Sequence, residues 1–335
     1  METRKRGKYY YVLFGGLAAV IVVSCYSVTQ GSIRIPLSTI REAIVQFDAQ
    51  NKYHLILMDH RLPRIIAGLL VGASLSVAGA IMQGMTRNPM ADSGLMGLNA
   101  GAGFALSICF AFFSGLSYLQ KIFFCFAGAA LSAVFVNGIT TLRREKETSF
   151  NMVIIGAAVS ALLTGLSQGI ALCFNVSQSI TFWTMGGVSA ADWNQIRIMT
   201  PIIVGALFFS VMTARQITLL SLGEEVAQGL GLNCRKYRRI LSLLMVILAG
   251  ISVSVVGAVG FVGLIVPHIV RFLVGVDYRH IIPASAVFGA LLMVAADLAA
   301  RSINPPFETP VGVLTSLIGV PFFLYLARKQ RRGMG

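Results

Sequence analysis

Long apolar runs recur along the whole chain, and they constrain the fold more than any other feature of the sequence. Each run approaches the roughly 20 residues that an α-helix needs to cross a bilayer. Only 12% of the 335 residues are charged and 56% are hydrophobic, which excludes an ordinary soluble enzyme, a disordered chain and a disulfide scaffold. Spanning strands would alternate polar and apolar residues, which these runs do not. The sequence therefore predicts an all-α polytopic membrane protein.

About ten spans fit these runs, and we expect them to form a single transmembrane domain over residues 1–335. The first run follows a basic N-terminus but is too long for the apolar region of a signal peptide, so we expect it to be retained. The eighth is the least regular, because Gly260, Gly263 and Pro267 interrupt it. The predicted spans are 9–28, 62–85, 93–114, 121–142, 150–173, 195–214, 240–258, 260–275, 282–301 and 311–327.

The distribution of cations predicts the orientation. The net charge is +14, and 19 of the 27 Lys and Arg residues fall on the side that holds the N-terminus. Cytoplasmic loops carry such an excess in membrane proteins. The sequence thus predicts a multi-pass protein of the plasma (inner) membrane with both termini in the cytoplasm. It does not predict nucleic-acid binding, because no basic stripe is interleaved with aromatic residues.

Two segments outside the spans carry their own pattern. Residues 36–47 begin with Pro36 and place Ile40, Ile44 and Val45 on one face, which predicts an amphipathic helix on the outer surface. Residues 216–239 form the longest inner loop. The Leu-Gly pairs in this loop predict one or two short helices, with turns at glycines 223, 229 and 231.

The motifs that would indicate catalysis are missing from the sequence. It contains no P-loop, no H-E-x-x-H and no G-x-S-x-G, and its five cysteines form no C-x-x-C pair. We therefore predict no catalytic residue, no metal site and no cofactor on this chain. Asp297 is the only clear acidic residue within a span. An ion-coupled carrier normally needs buried ionisable groups, so this remote alternative is disfavoured.

Residues 60–327 carry an ordered set of motifs. Each motif alone is weak, but their order is specific. The motifs are the stretch 61–103, WTMGG (183–187), LGEEVAQGLG (222–231), GFVGLIVPHIVR (260–271), ADLAAR (296–301) and PVGVLTSLIGVPFF (310–323). This ordered set resembles a known family, the permeases of type II ABC importers for iron complexes, haem and cobalamin, and the first stretch is similar to the family's second and third spans.

The resemblance implies the fold, function and partners. Members of this family have ten spans and work as dimers, so a second, identical or different permease subunit is expected. Two separate ATPase subunits bind ATP and Mg²⁺ inside, and an outer substrate-binding protein delivers the ligand. The chain itself is then a transporter subunit and not an enzyme. A ferric siderophore is the expected cargo, with haem or cobalamin as alternatives.

The resemblance also implies roles for three groups of residues. The outer arginines would dock the binding protein, the 222–231 motif would couple to the ATPase, and residues at two inner constrictions would form a cytoplasmic gate. Asp297 lies one helical turn before Arg301 and is expected to pair with it. The docking residues are Arg61, Arg64 and Arg301; the coupling residues are Leu222, Gly223, Glu224, Glu225, Ala227, Leu230 and Gly231; the gate residues are Asn88, Met90, Thr148 and Ser149.

Overall fold

The computed structural model describes residues 2–31, 33–113, 115–142, 149–304 and 307–332, and over these ranges the chain is helical. The helices are α1 (Glu2–Thr29), α2 (Leu37–Val45), α3 (Lys52–Leu55), α4 (Leu62–Thr86), α5 (Leu98–Phe112), α6 (Tyr118–Leu142), α7 (Ser149–Cys173), α8 (Ser177–Thr184), α9 (Trp193–Met212), α10 (Ala214–Ser221), α11 (Glu224–Gly229), α12 (Cys234–Val256), α13 (Val262–Val274), α14 (Tyr278–Ser302) and α15 (Val311–Arg332). A π-helical turn, Ile56–Arg61, joins α3 to α4.

Each of the ten predicted spans corresponds to one apolar helix. Seven of these helices have both the length and the composition to cross a membrane: α1, α4 with its preceding turn, α6, α7, α9, α12 and α14. Three shorter apolar helices, α5, α13 and α15, complete the set. The predicted all-α polytopic architecture is therefore confirmed. We call the end of the bundle that carries Arg64 and Arg301 the outer end, and the end that carries α10 and α11 the inner end, following the predicted topology.

Helix α4 forms the centre of the bundle, with α12, α13 and α14 packed around it. Most of its side chains are buried, and its glycines permit close contact with the neighbouring backbones. A Cβ atom on Gly72 would overlap the Gly289 carbonyl of α14, and one on Gly79 would overlap the Gly263 carbonyl of α13. Small residues serve this purpose at helix contacts in membranes, where van der Waals packing drives association.

Helices α5 and α13 are short because no α-helix precedes either of them directly; the segment before α5 contains only a 3₁₀ turn, Ser93–Met96. The connection 87–97 returns from the inner end of α4 into the bundle before α5 begins, and residues 257–261 separate α12 from α13. The first connection brings Asp92 beside Gly263, so a side chain at Gly263 would collide with the Asp92 carboxylate. Non-helical backbone at this depth is tolerated because protein surrounds it. Asp297 is thus not the only acid inside the bundle.

The outer segment before α4 folds onto itself. Ile35, Ala43 and Leu57 form a small apolar core between α2 and the π-helical turn. The helix predicted over 36–47 is present as α2, and Ala43 is the side chain it buries. Ile44 and Val45 point outward and are largely exposed. The predicted apolar face of α2 is therefore divided, because Ile40 packs against this core while Ile44 and Val45 face away from it.

Candidate functional site

The three predicted docking arginines converge at the outer end of the bundle. Arg61 ends the π-helical turn, Arg64 lies in the first turn of α4, and Arg301 lies in the last turn of α14. Because α4 and α14 pack together, Asp297 of α14 lies between Arg64 and Arg301. Its carboxylate is 2.8 Å from Arg64 Nη2 and 3.2 Å from Arg301 Nη2. Asp297 is 2% exposed, so both ion pairs are shielded from solvent.

Arg64 also binds a second carboxylate. Its Nη1 donates to Glu308 Oε1 at 2.7 Å. Glu308 lies in the connection between α14 and α15, and its side chain is 40% exposed. The Arg64 side chain is only 9% exposed, because it is enclosed by both acids. One arginine of α4 therefore holds α14 through a buried carboxylate and the α14–α15 connection through an exposed one.

The other two guanidinium groups bind the end of α1 and the chain that follows it. Arg61 Nη1 donates to the Val28 carbonyl at 2.6 Å. Arg301 donates to the Gln30 carbonyl at 3.2 Å and to Ser27 Oγ at 2.5 Å. In the described cluster, three guanidinium groups thus face two carboxylates, those of Asp297 and Glu308. The cluster keeps an excess positive charge, which favours a further carboxylate from a partner.

Only part of this cluster follows from the sequence. The expected pair between Asp297 and Arg301 is confirmed, because the two residues are four positions apart on one helix. The second partner of Asp297, Arg64, and the contact of Arg64 with Glu308 were missed. These residues are more than 200 positions apart, so no periodicity relates them. Their only sequence signal is that all lie at predicted outer span ends.

At the inner end, the 216–239 loop contains two short helices, α10 and α11, as predicted. Gly223 (φ 121°) and Gly231 (φ 80°) have positive φ angles and end the turns on either side of α11. Such angles favour glycine, because it has no Cβ. Gly229 is instead the last residue of α11 and makes no turn of this kind. Two of the three predicted glycine turns are therefore present.

An exposed apolar stripe crosses this loop. Leu222, Val226 and Leu230 are spaced four residues apart and are 59%, 49% and 62% exposed. Glu225 beside them is exposed as well, whereas Gly223 and Ala227 are buried. The predicted coupling residues therefore divide into a surface set and a supporting set. Val226, which lies at the centre of the stripe, was not among them.

Polar contacts fix α10 and α11 to two spanning helices. Glu224 pairs with Arg238 of α12 at 3.1 Å. Thr218 of α10 donates to Asp277 Oδ1 at 3.1 Å and accepts the Tyr278 backbone N–H at 3.0 Å. Because Asp277 caps α14, a displacement of the loop would be transmitted to α12 and α14 together.

The predicted gate residues lie in different surroundings. Asn88 accepts the Met90 backbone N–H at 2.9 Å, and this contact forms a tight turn at the inner end of α4. Arg87, just before it, has a left-handed conformation that ends the helix. Ser149 begins α7, and Thr148 lies outside the described residues. The turn at Asn88 is present, and the gate remains a prediction.

A polar groove opens between α5, α7 and α8. Its volume is about 350 Å³. Its polar lining is made of hydroxyl and amide groups, and none of the described residues that line it is charged. The sequence analysis did not find this groove, because its polar residues are dispersed among apolar ones on three helices. The polar lining residues are Asn99, Thr164, Ser167, Gln168, Ser177, Thr181 and Thr184.

A bundle of apolar helices, with a groove between three of them and charged residues at both ends, is typical of a membrane-spanning transport protein. The comparisons with known proteins agree. The model of the FecCD transport family matches residues 19–329, and the chain belongs to this family. Its members are permease subunits of ABC transporters in the membrane. The ATPase belongs to separate chains, so this chain is a transport subunit and not the hydrolase.

The relatives include permeases for several iron compounds. The chain is 49% identical to the iron(3+)-hydroxamate import system permease protein FhuB of Bacillus subtilis, over 96% of this chain and 84% of the relative. It is 34% identical to the hemin transport system permease protein HmuU of Yersinia pestis, over 94% of each. A solved inward-facing conformation of a metal-chelate type ABC transporter superposes with a TM-score of 0.83 at 26% identity, covering 95% of this chain and 99% of that one. The predicted type II importer fold is confirmed.

Proposed function

We propose that this chain forms the membrane path of an ABC importer for a ferric siderophore of the hydroxamate type. The observation that carries the proposal is the groove between α5, α7 and α8, whose polar lining groups are all uncharged. It presents hydroxyl and amide donors and acceptors on helices that otherwise face lipid or protein. Three hydroxamate groups, each with one negative charge, neutralise the Fe³⁺ ion that they bind, so the chelate needs no charged group in the groove. The 49% identical relative, whose name gives hydroxamate import, supports the same cargo.

The groove is one side of the path, and a second permease subunit supplies the other. Helix α7 is exposed over much of its surface in the single chain, and it carries Thr164 and Gln168 there. Polar groups are costly when they face hydrocarbon. A partner permease that covers α7, either identical or different, removes this cost. We assign the cytoplasmic gate to Asn88, Met90, Thr148 and Ser149, of which Thr148 lies outside the described residues.

An extracytoplasmic substrate-binding protein docks on Arg61, Arg64 and Arg301. The excess positive charge of their cluster supports this role. Two ATPase subunits, which bind ATP and Mg²⁺, contact the inner stripe of Leu222, Val226 and Leu230, together with Glu225 beside it. The stripe is exposed and apolar, as expected of a protein contact surface. Gly223, Glu224, Ala227 and Gly231 shape the loop that presents it.

The orientation that these roles require can be tested by itself. Both termini lie in the cytoplasm of a cell whose plasma (inner) membrane holds the chain. Single-cysteine variants Arg34→Cys and Lys236→Cys, made in a cysteine-free background, then react with a membrane-impermeant maleimide from opposite sides. Labelling of both positions from the same side would contradict this topology.

Uptake measurements test the transport proposal. Cells with and without this gene take up ferric hydroxamate, haem and cobalamin, each labelled, in separate assays. Each strain is also tested with a Walker A substitution in the partner ATPase. We expect ferric hydroxamate uptake to require both the gene and the intact ATPase. Haem uptake with the same two requirements would reassign the cargo, and the 34% identical hemin permease makes this the second candidate. Uptake that is unchanged by the Walker A substitution but is lost when an uncoupler is added would indicate an ion-coupled carrier.

A further inference from the structure

We propose that Glu308 occupies, in the undocked chain, the position on Arg64 that a carboxylate of the docking protein takes over. Docking is then an exchange of one carboxylate for another at Arg64 Nη1. The proposal rests on the proposed docking surface and adds how that surface responds to its partner.

The two acids of the cluster differ in how readily they can be replaced. Asp297 is 2% exposed, and its carboxylate binds both Arg64 and Arg301. Removing it would leave two buried guanidinium groups without their ion partner. Glu308 is 40% exposed and binds Arg64 alone among the described ion pairs. A partly exposed pair contributes little to stability, so a carboxylate of similar chemistry can displace Glu308 at low cost.

Arg64 retains its position during the exchange. Its Nε and Nη2 atoms are held by Asp297 at 2.8–3.1 Å, whereas Nη1 faces Glu308 at the exposed edge. The guanidinium group is planar and rigid, so fixing one edge also orients the other. An incoming carboxylate therefore meets a donor that is already oriented. Asp297 thus preorganises Arg64 for docking, and Glu308 occupies the docking position until the partner arrives.

The release of Glu308 reaches the start of α15. Glu308 lies three residues before Val311, where α15 begins. At the next residue, Gly312, a Cβ atom would be 3.2 Å from the Ala258 carbonyl and 3.3 Å from the Met185 carbonyl. Ala258 belongs to the non-helical segment between α12 and α13, and Met185 follows α8. Release of Glu308 therefore removes one of the contacts that hold the start of α15 in place, while the Thr309 N–H still donates to the Ala300 carbonyl at 3.1 Å.

The test uses the assembled transporter, with its ATPase, in lipid nanodiscs, and the substrate-binding protein of the same system. The readouts are the basal ATPase rate and the concentration of binding protein that gives half-maximal stimulation. The Glu308→Gln variant removes the competing charge and keeps the size of the side chain. Asp59→Asn is the matched control, since Asp59 is an exposed acid two positions before Arg61 that takes no part in the ion pairs described above. Arg61→Glu tests docking itself.

We expect Glu308→Gln to lower the half-maximal concentration about two- to fivefold, the range that an exposed ion pair allows, and to raise the basal rate. Asp59→Asn should change neither. The exchange proposal is tested in a transporter for which Arg61→Glu weakens docking. Under that condition, the proposal is wrong if Glu308→Gln leaves both readouts unchanged or weakens docking. It is also wrong if Glu308→Gln acts no more strongly than Asp59→Asn. If Arg61→Glu has no effect on docking, the proposed docking surface itself is wrong.

Discussion

At the scale of single residues, Asp297 decides how the outer arginines are arranged. It binds Arg64 of α4 and Arg301 of its own helix, and it is nearly inaccessible to solvent. A buried ion pair contributes modestly to stability when intact, but breaking it leaves an uncompensated buried charge. The Arg301 contact could be predicted from the spacing of four residues, and the Arg64 contact could not, because it joins separate helices. Asp297 is therefore a structural residue within the candidate docking site.

We predict that Asp297→Asn destabilises the chain by about 3 kcal/mol, because two cationic groups lose their buried counter-charge. Thermal unfolding of the detergent-solubilised protein measures the effect. Glu308→Gln is the matched control: it removes a carboxylate from the same cluster, but an exposed one, and should cost less than about 1 kcal/mol. Equal melting of Asp297→Asn and the wild-type chain would show that Asp297 does not hold the arginines.

At the scale of elements, the inner loop depends on a contact between helices that are far apart in sequence. Asp277 caps α14 and also receives the Thr218 hydroxyl of α10. Burial raises the pKa of Asp277, but hydrogen bonds from Arg279 and Thr218 and the charge of Arg279 outweigh it, so the pKa lies below its usual value. A carboxyl group with a lowered pKa stabilises the fold above its unfolded pKa, and this contribution is lost as the pH falls through the folded value. The contact therefore persists at neutral pH.

We predict that Asp277→Ala increases amide hydrogen exchange in α10 about tenfold, because the helix loses its connection to α14. Asn233→Ala is the control. It removes the cap of α12 but no bridge to α10, and a cap alone is worth about 1 kcal/mol. In the wild-type chain, the protection of α10 amides against exchange, corrected for the intrinsic rate at each pH, should stay constant between about pH 5 and pH 8. Equal exchange in α10 for the two variants would contradict the bridging role.

The close contact between α4 and α13 gives a second prediction for an element. We predict that Gly79→Ala destabilises the bundle by about 1–3 kcal/mol, since the new methyl group would overlap the Gly263 backbone. Gly205→Ala in α9 is the control, because a Cβ atom there meets nothing within 4 Å. Alanine also favours helix over glycine, so the control should be neutral or slightly stabilising. If both variants melt at the same temperature, the contact is not as close as described.

At the scale of the whole molecule, the sequence predicted the spans well and their interruptions poorly. Apolar periodicity reports which residues face lipid or protein, and it located all ten helices. It does not report that residues 87–97, with their single 3₁₀ turn, stay inside the bundle, because a buried irregular segment can be as apolar as a buried helix. Asp92 lies just before the third predicted span, so its position beside Gly263 was missed. The groove depends on three helices meeting, which no local pattern encodes.

The groove allows a prediction about the cargo of the whole transporter. Its described lining contains no charge, so it offers nothing that would neutralise a charged chelate. We therefore expect a cargo without net charge, and we predict that Gln168→Lys and Gln168→Glu reduce its uptake to a similar extent. The loss should be about tenfold or more, because an unpaired charge at membrane depth costs about 2.5–3.5 kcal/mol.

Comparing the two signs at one position separates a charge effect from a packing effect. An anionic chelate would tolerate Gln168→Lys and lose uptake only with Gln168→Glu, and a cationic chelate would show the reverse. Gln178→Lys is the control, since Gln178 is exposed on α8 and does not line the groove. Labelled chelate uptake, normalised to the amount of assembled transporter, measures all three. A clear difference in uptake between Gln168→Lys and Gln168→Glu would indicate a charged cargo. Unchanged uptake in both variants would show that the groove is not part of the transport path.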